Sequence, residues 1–454
     1  MSLVAPAAAV PFLAAALLSF VPARAGAWTG FGAALVAFGL VCRLALAGGA
    51  DALGTALALV AAFVGATTAW FAAHELGIEL GPRRARVANA LFQAVLGGAL
   101  LATLADNLGV GWIALEVGTA AAAAGVALPR TTAAVEASWR YLVVCGVAFG
   151  LTLFGIVVLT AAALLNLGSG WAAMSWSGLA RAAPSAQPAL FNLAFCLLLV
   201  GWGTLAALVP LHGWMPSAQA EGPVAISGIL ATLLLNAALA NLLRLRAVMM
   251  ACPGAMAPGP VLVGLGLASV LGSALLLWRR RDTRQFLAVS TVGEGGLAAT
   301  AFGLGGAAIF AGVLHLVLHT LVKAALLQGA GRVTLAPGGL WRTDRTAAAL
   351  VLAAGISVAG LPPAGVFASE FLVLAEAMRQ APAVAFLAGA GVVVSAWAVI
   401  ARLQRLMPGP AAPGAAPPIK QTALLGAWVN LALGLVLALA MPGPLLALLR
   451  AAAR

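Results

Sequence analysis

Long apolar runs decide most of what this chain can become. Leu53–Trp70 and Leu142–Leu165 contain no charged residue. Each is close to the roughly 20 residues needed to cross the hydrocarbon core of a bilayer. The bias extends to all 454 residues, of which 63% are hydrophobic and 8% charged, where soluble chains carry about 25% charged residues. Inside hydrocarbon every backbone N–H and C=O must be paired within the protein, which leaves helices or a closed barrel. A barrel would show segments of about ten residues with alternating polarity. The unbroken runs indicate an all-α integral membrane protein.

Composition excludes several other classes. The formal charge is +12, yet the Arg residues are scattered among short loops with no basic, aromatic-rich face. That pattern is a topology signal and not a nucleic-acid footprint. Cys42, Cys145, Cys196 and Cys252 include no close pair, so no disulfide, zinc or iron–sulfur site is read from them, and they serve as small apolar filler. No GxGxxG, Walker loop or CxxC is present, so no nucleotide, metal or other cofactor site is expected. Ala23-Arg24-Ala25 resembles a signal-peptide cleavage site, but no basic n-region precedes it. The first segment is therefore expected to be a retained span.

We place fourteen spans near 3–20, 28–46, 53–73, 88–105, 107–128, 139–165, 190–212, 223–246, 259–278, 285–304, 307–329, 346–379, 383–405 and 421–445. They form one transmembrane domain over residues 1–454. The Pro/Ala/Gly-rich stretch 406–420 is a cytoplasmic linker, and 421–445 is the last helix. The seventh span contains Pro210 and the twelfth contains Pro362-Pro363 after Gly360. Proline removes an intrahelical bond and clashes with the preceding turn, so both helices should break at membrane depth. Such breaks persist where protein or a wet cavity satisfies the freed carbonyls. A matched pair of breaks points to inverted repeats around an ion path. Of the 24 Lys and Arg residues, 16 fall in loops that follow odd-numbered spans, 7 in the other loops and termini, and Lys323 lies within a span. The positive-inside rule then puts both termini on the outer side.

A charge at mid-bilayer costs at least a few kcal/mol, so each one asks for an explanation. His315, His319 and Lys323 are spaced four and four. On a helix they lie on nearly one face over about 12 Å. His changes protonation state near neutral pH, and burial can bring a Lys or Glu toward the same range. This stripe is the sharpest candidate for a proton path. Glu370 lies eight residues after Pro362, beside the expected break, and Glu116 lies inside the fifth span. Glu294, a third of the way into the tenth span, is an accessory candidate with Asn236, His212 and Glu221. His212 sits in Pro210-Leu211-His212-Gly213-Trp214-Met215-Pro216, followed by Glu221-Gly222-Pro223. The flanking Trp and Pro place this loop at the external interface.

These residues resemble a known family. Pro210–Pro223 resembles the loop H-x-W-L-P-D-A-H-x-E-A-P of antiporter-like subunits in respiratory complex I, Mrp cation/proton antiporters and group 4 membrane-bound hydrogenases. His315–Lys323 resembles their H-x3-H-x3-K helix. Asp106-Asn107-Leu108 through Glu116 resembles their glutamate-bearing fifth helix. Gly360-Leu361-Pro362-Pro363 through Ser369-Glu370-Phe371 resembles their broken twelfth helix. The finer match is to the F subunit of hydrogenase 4. The resemblance implies about fourteen transmembrane helices, two inverted five-helix repeats at about 88–246 and 259–405, and a central hydrophilic axis. It implies a subunit without redox cofactor in the cytoplasmic (inner) membrane of a bacterium-type cell. Its partners would be lipid, protons, and the membrane and peripheral subunits of a hydrogenase- or complex I-like oxidoreductase. By position, Glu116 would bind protons, His315, His319 and Lys323 would relay them, and Glu370 would be terminal.

The sequence also departs from the pattern. The seventh-helix lysine falls at Leu205 and the eighth-helix lysine of complex I at Asn236. The loop Asp and second His fall at Ser217 and Gln219, and the tenth-helix His at Glu294. Leu205 cannot ionise, so the first half-channel reads as degenerate. Three functions follow: proton or cation translocation through the second half, a non-conducting scaffold, or a membrane partner in cation/proton antiport or inorganic-carbon uptake.

Overall fold

The computed structural model describes residues 3–48, 50–167, 170–280, 282–331, 338–410 and 418–453. Among these there is no strand, only an isolated bridge between Asn107 and Ser175. The chain begins with α1 (Val4–Leu18), α2 (Ala23–Ala47), α3 (Ala52–Leu80), α4 (Pro82–Leu104), α5 (Leu108–Val126) and α6 (Thr132–Leu167). The short α7 (Gly170–Ala173) and α8 (Trp176–Ala182) lead into α9 (Pro188–Leu205), α10 (Met215–Glu221) and α11 (Val224–Ile229). A π turn at Leu230–Leu234 joins α11 to α12 (Leu235–Met250) in one rod. Then come α13 (Pro258–Leu277), α14 (Thr283–Leu304), α15 (Ala307–Ala330), α16 (Leu340–Thr343) and α17 (Arg345–Val358). The chain closes with α18 (Gly365–Gln380), α19 (Pro382–Leu406), α20 (Leu425–Leu439) and α21 (Gly443–Ala452). Among the described residues, twelve helices are long and apolar enough to cross a membrane.

The charges that remain are used with economy. All four aspartates satisfy helix N-termini, which otherwise leave backbone donors orphaned. Asp51, Asp282 and Asp344 accept from Gly54, Gln285 and Ala347 at the starts of α3, α14 and α17. Asp106 accepts from the backbone and hydroxyl of Ser177 in α8. Asp51 also receives the buried Arg244 at 2.8 Å, and Arg244 reaches the Thr103 carbonyl at 2.6 Å. That network ties α3, α4 and α12 together.

Lipid gives helices no hydrophobic reason to associate, so close van der Waals contact between small residues must do it. α13 and α14 meet through such a face. A Cβ on Gly296 would stand 2.5 Å from the Ser269 Cβ, and one on Gly303 would stand 2.7 Å from the Gly259 carbonyl. The most enclosed members are the α11–α12 rod, α14 and α15, whose most apolar windows are 100%, 89% and 89% buried, whereas α2 and α19 reach 28%. α15 touches α3, α14, α17, α18 and α20, so it runs through the middle.

Both expected breaks are present. The seventh crossing stops at Leu205 and resumes at Met215, and the twelfth stops at Val358 and resumes at Gly365. The last segment differs from expectation. It ends at Leu439, and Pro442, which cannot donate to a continuing helix, starts α21. The sixth helix begins at Thr132, earlier than the expected 139, because the polar turn Thr132–Arg140 is still helical. Of the expected 406–420 linker, residues 411–417 lie outside the described residues, as do Arg281, Arg332 and Arg454 from the charge count.

Candidate functional site

α15 presents His315, His319 and Lys323, all at most 1% exposed, to the neighbouring helices. The two imidazoles stack with centroids 6.0 Å apart and planes 14° apart, as four-residue helical spacing requires. Lys323 Nζ donates to the Leu287 carbonyl at 2.6 Å and to Ser290 Oγ at 2.5 Å, both on α14. One turn further along α14, Glu294 Oε2 stands 3.1 Å from His315 Nε2. The other imidazole nitrogen, Nδ1, meets Ser369 Oγ of α18 at 3.1 Å. Ser369 Oγ in turn donates to the Val366 carbonyl at 2.8 Å, so with that donation in place it accepts from Nδ1–H. His315 thus bridges α14 and α18.

Glu370 follows Ser369 and is 5% exposed. It shares with Glu294 a small cavity of about 20 Å³, also lined by Ser290 and Ser395. That is room for about one water. The turn ahead of α18 is moulded to this carboxylate. Gly360 has φ +64°, and a Cβ there would strike the Glu370 carboxylate oxygen.

A second polar strand leaves the first at α15. Thr320 Oγ1 receives Asn236 Nδ2 at 2.7 Å, directly after the π turn of the α11–α12 rod. Nearer the Arg-rich end, Gln328 Nε2 donates to Thr68 of α3 at 3.1 Å. Asn236 Oδ1, His319 Nε2 and Gln328 Oε1 are buried with no protein partner among the described residues. Such groups are costly in a dry interior, and a line of them is suited to water.

The break in the seventh crossing is held by α14. Arg284 donates to the Gln219 carbonyl at 3.2 Å, to Ser227 Oγ at 3.1 Å, and to the Gly222 carbonyl. Glu79 of α3 accepts from the Val224 N–H at 3.2 Å. Residues 215–224 therefore sit beside the Arg-rich ends of α3 and α14. The loop expected at the external interface thus packs at the same end of the bundle as Arg284 and Glu79; adjacent Trp and Pro mark an interface without saying which one. His212 is half-buried at the break, and its Nδ1 has no partner among the described residues. Glu221 is one of the carboxylates acting on Arg284.

The structure thus brings together His315, His319, Lys323, Glu370, Glu294 and Asn236. Glu294, only an accessory candidate by sequence, is the carboxylate nearest His315. Glu116 is not brought to this seam. It is exposed on the outer face of α5 between exposed Ile113 and Val117. Leu205 is 5% exposed, in apolar packing. Sequence reasoning missed Ser290, Ser369, Thr320, Gly360 and Arg284. Ser290 and Ser369 had a usable signal, since they lie four residues from Glu294 and one from Glu370, glutamates within apolar spans. Arg284 and Gly360 gain their meaning only from other helices.

A many-helix membrane bundle with two broken helices and a buried His–Lys–Glu seam defines the class: an antiporter-like membrane-subunit fold. The chain belongs to the family described as "NADH:quinone oxidoreductase/Mrp antiporter, TM", whose profile matches residues 105–396. It is 41% identical over 290 residues to the hydrogenase-4 component F homolog of Methylacidiphilum infernorum, covering 63% of this chain and 61% of that protein. It is 32% identical over 272 residues to NADH-quinone oxidoreductase subunit N of Cereibacter sphaeroides, covering 57% and 56%. The chain thus spans about six tenths of the length of these relatives. In fold it is similar to a chain of the membrane-bound sulfane sulfur reductase, an archaeal respiratory membrane complex. There the TM-score is 0.86 at 21% identity, over 100% of this chain and 97% of that one.

Proposed function

We propose that this chain is a proton-translocating-type subunit of a hydrogenase-4- or complex I-like membrane assembly, moving protons through its second half. The observation that carries this is His315, in contact with Ser369 on one side and Glu294 on the other. Its approach to Glu294 is oblique and falls short of a formed hydrogen bond. A neutral imidazole nitrogen 3.1 Å from an ionised carboxylate sets two lone pairs near each other, and one proton on either group turns repulsion into attraction. The pair is therefore a proton-holding site between α14 and α18. From there the relay runs to His319 and Lys323 in one direction and, through the Glu294–Glu370 cavity, toward the α17–α18 break in the other. Solvent would reach Glu370 at the break.

The wider frame is consistent with the family. Counting α1 and the α17–α18 pair as one crossing each raises twelve long spans to fourteen. The broken crossing is fourth of five in each proposed repeat, 88–246 and 259–405. Both termini would then lie outside the cytoplasmic membrane, and the other membrane and peripheral subunits would supply the redox chemistry. Glu116, facing outward, has no ion-pair partner among the described residues, and Leu205 holds the position where the resemblance expects its lysine.

Leu205 also favours a second reading, in which the subunit is a non-conducting scaffold. The two separate on reconstituting the whole assembly in liposomes and measuring proton uptake. Glu294→Gln, His319→Ala and Lys323→Ala should each slow uptake by about a hundredfold or more, the scale of a lost acid–base group, with assembly intact. Uptake equal to wild type in all three would leave the scaffold.

A further inference from the structure

The Arg-rich end of the molecule carries two adjoining cavities unrelated to the seam. One, about 340 Å³, lies between α2, α3 and α4, and is lined by Arg24, Trp28, His74, Asn89 and Lys420 among others. The second, about 480 Å³, shares Ala23 and Pro82 with it and adds Arg83, Arg84, Arg86 and Arg130. Arg84 is held by the carbonyls of Leu80, Leu128 and Pro129. The others are exposed, and among the described residues no ion pair neutralises Arg24, Arg83, Arg86, Arg130 or Lys420.

Next along α2 and α3, across a short junction, lies an apolar groove that shares no lining residue with the first cavity. It measures about 210 Å³ and is walled by Phe31, Leu35, Phe38, Phe63, Trp70 and Val429. The junction is aromatic. Trp28 lies 5.2 Å from His74 and 5.4 Å from Trp70, and Phe31 lies 5.3 Å from Trp70, centroid to centroid. Trp70 Nε1 donates to the Thr422 carbonyl at 2.7 Å, two residues from Lys420. Trp with a polar handle marks the depth where headgroups meet acyl chains. Cations lie on one side of that level and a hydrocarbon slot on the other.

We propose that this composite cavity binds one anionic phospholipid, its phosphodiester among Arg24, Lys420, Arg83 and Arg86 and one acyl chain along Phe31, Leu35 and Phe38. A free phosphate would use the cations and leave the groove unexplained. A zwitterionic lipid would fill the groove and leave the positive charge uncompensated. Only a negatively charged headgroup with a tail answers both, and basic pockets between helices on the cytoplasmic side are suited to such headgroups.

The test is mass spectrometry of the intact full-length protein in mild detergent, with phosphatidylglycerol and phosphatidylcholine of identical chains in competition. Phosphatidylglycerol should be retained roughly tenfold over phosphatidylcholine, as follows from a few basic residues near the headgroup. Arg24→Gln with Lys420→Gln, or Arg83→Gln with Arg86→Gln, should remove most of that preference and leave phosphatidylcholine unchanged. Leu35→Trp, which fills the groove, should weaken both lipids alike. Equal retention of the two lipids by the wild type would overturn the proposal without reference to any variant. So would displacement of phosphatidylglycerol by millimolar inorganic phosphate, or unchanged retention in Leu35→Trp.

Discussion

Gly360 shows how one residue can govern a titratable group it never bonds. Its φ of +64° is open to glycine and costly for other residues, and its missing Cβ is the space into which the Glu370 carboxylate fits. Gly360→Ala adds about 1–2 kcal/mol of backbone cost and drives Glu370 from the cavity it shares with Glu294. We expect the variant to assemble with a lowered melting temperature and to lose the proton uptake that Glu370→Gln also loses. Uptake at wild-type level in Gly360→Ala would separate Glu370 from the path. The other buried charges follow the same economy. Lys323 is met by two oxygens on α14, and Arg244 by Asp51 and a carbonyl. Each is placed where a partner already stands, because an unpaired charge in this interior would cost several kcal/mol.

At the scale of elements, the two broken crossings are stabilised differently. The α17–α18 turn is closed locally by its glycine and prolines. The α9–α10 break depends on a distant helix, through Arg284 and the carbonyls of Gln219 and Gly222. Removing the guanidinium leaves several acceptors unmet, at about 1–3 kcal/mol for each buried group. Arg284→Ala should therefore speed hydrogen exchange in residues 215–224 while leaving α17–α18 unchanged. Equal protection at both breaks in the variant would show that the first is self-supporting. Arg284→Lys should rescue only in part, since the three acceptors converge on the one terminal nitrogen Nη2 and the shorter lysine chain brings its ammonium less far toward that point.

For the molecule as a whole, the contacts put the ends of α3, α10 and α14 on one face with Arg83, Arg84 and Arg86. The orientation we propose from the charge asymmetry would place that face in the cytoplasm. In a background lacking the four native cysteines, Arg83→Cys should react with a membrane-impermeant maleimide only in inverted vesicles. Arg181→Cys should react only in right-side-out cells. The reverse pattern would invert the topology and move the proposed lipid site to the outer leaflet. Cys196, exposed on α9, and Cys42 must be removed first, because either would blur the readout.

The amino-acid sequence by itself determined the class of solvent, the helices and the places where two of them break. Those properties are local: run length against bilayer thickness, and proline against its own preceding turn. The same locality made the His315–His319–Lys323 face legible, because one helix carries all three. Tertiary structure alone decided which groups meet. Glu294 became the neighbour of His315 because α15 packs directly against α14. Glu116 was left on the outer surface because α5 turns that side away from the bundle. Leu205 marked a missing charge, but only the fold shows that apolar packing closes around it. A titratable side chain acquires its meaning from what stands within about 3 Å, and in a helical bundle most of that company comes from elsewhere in the chain.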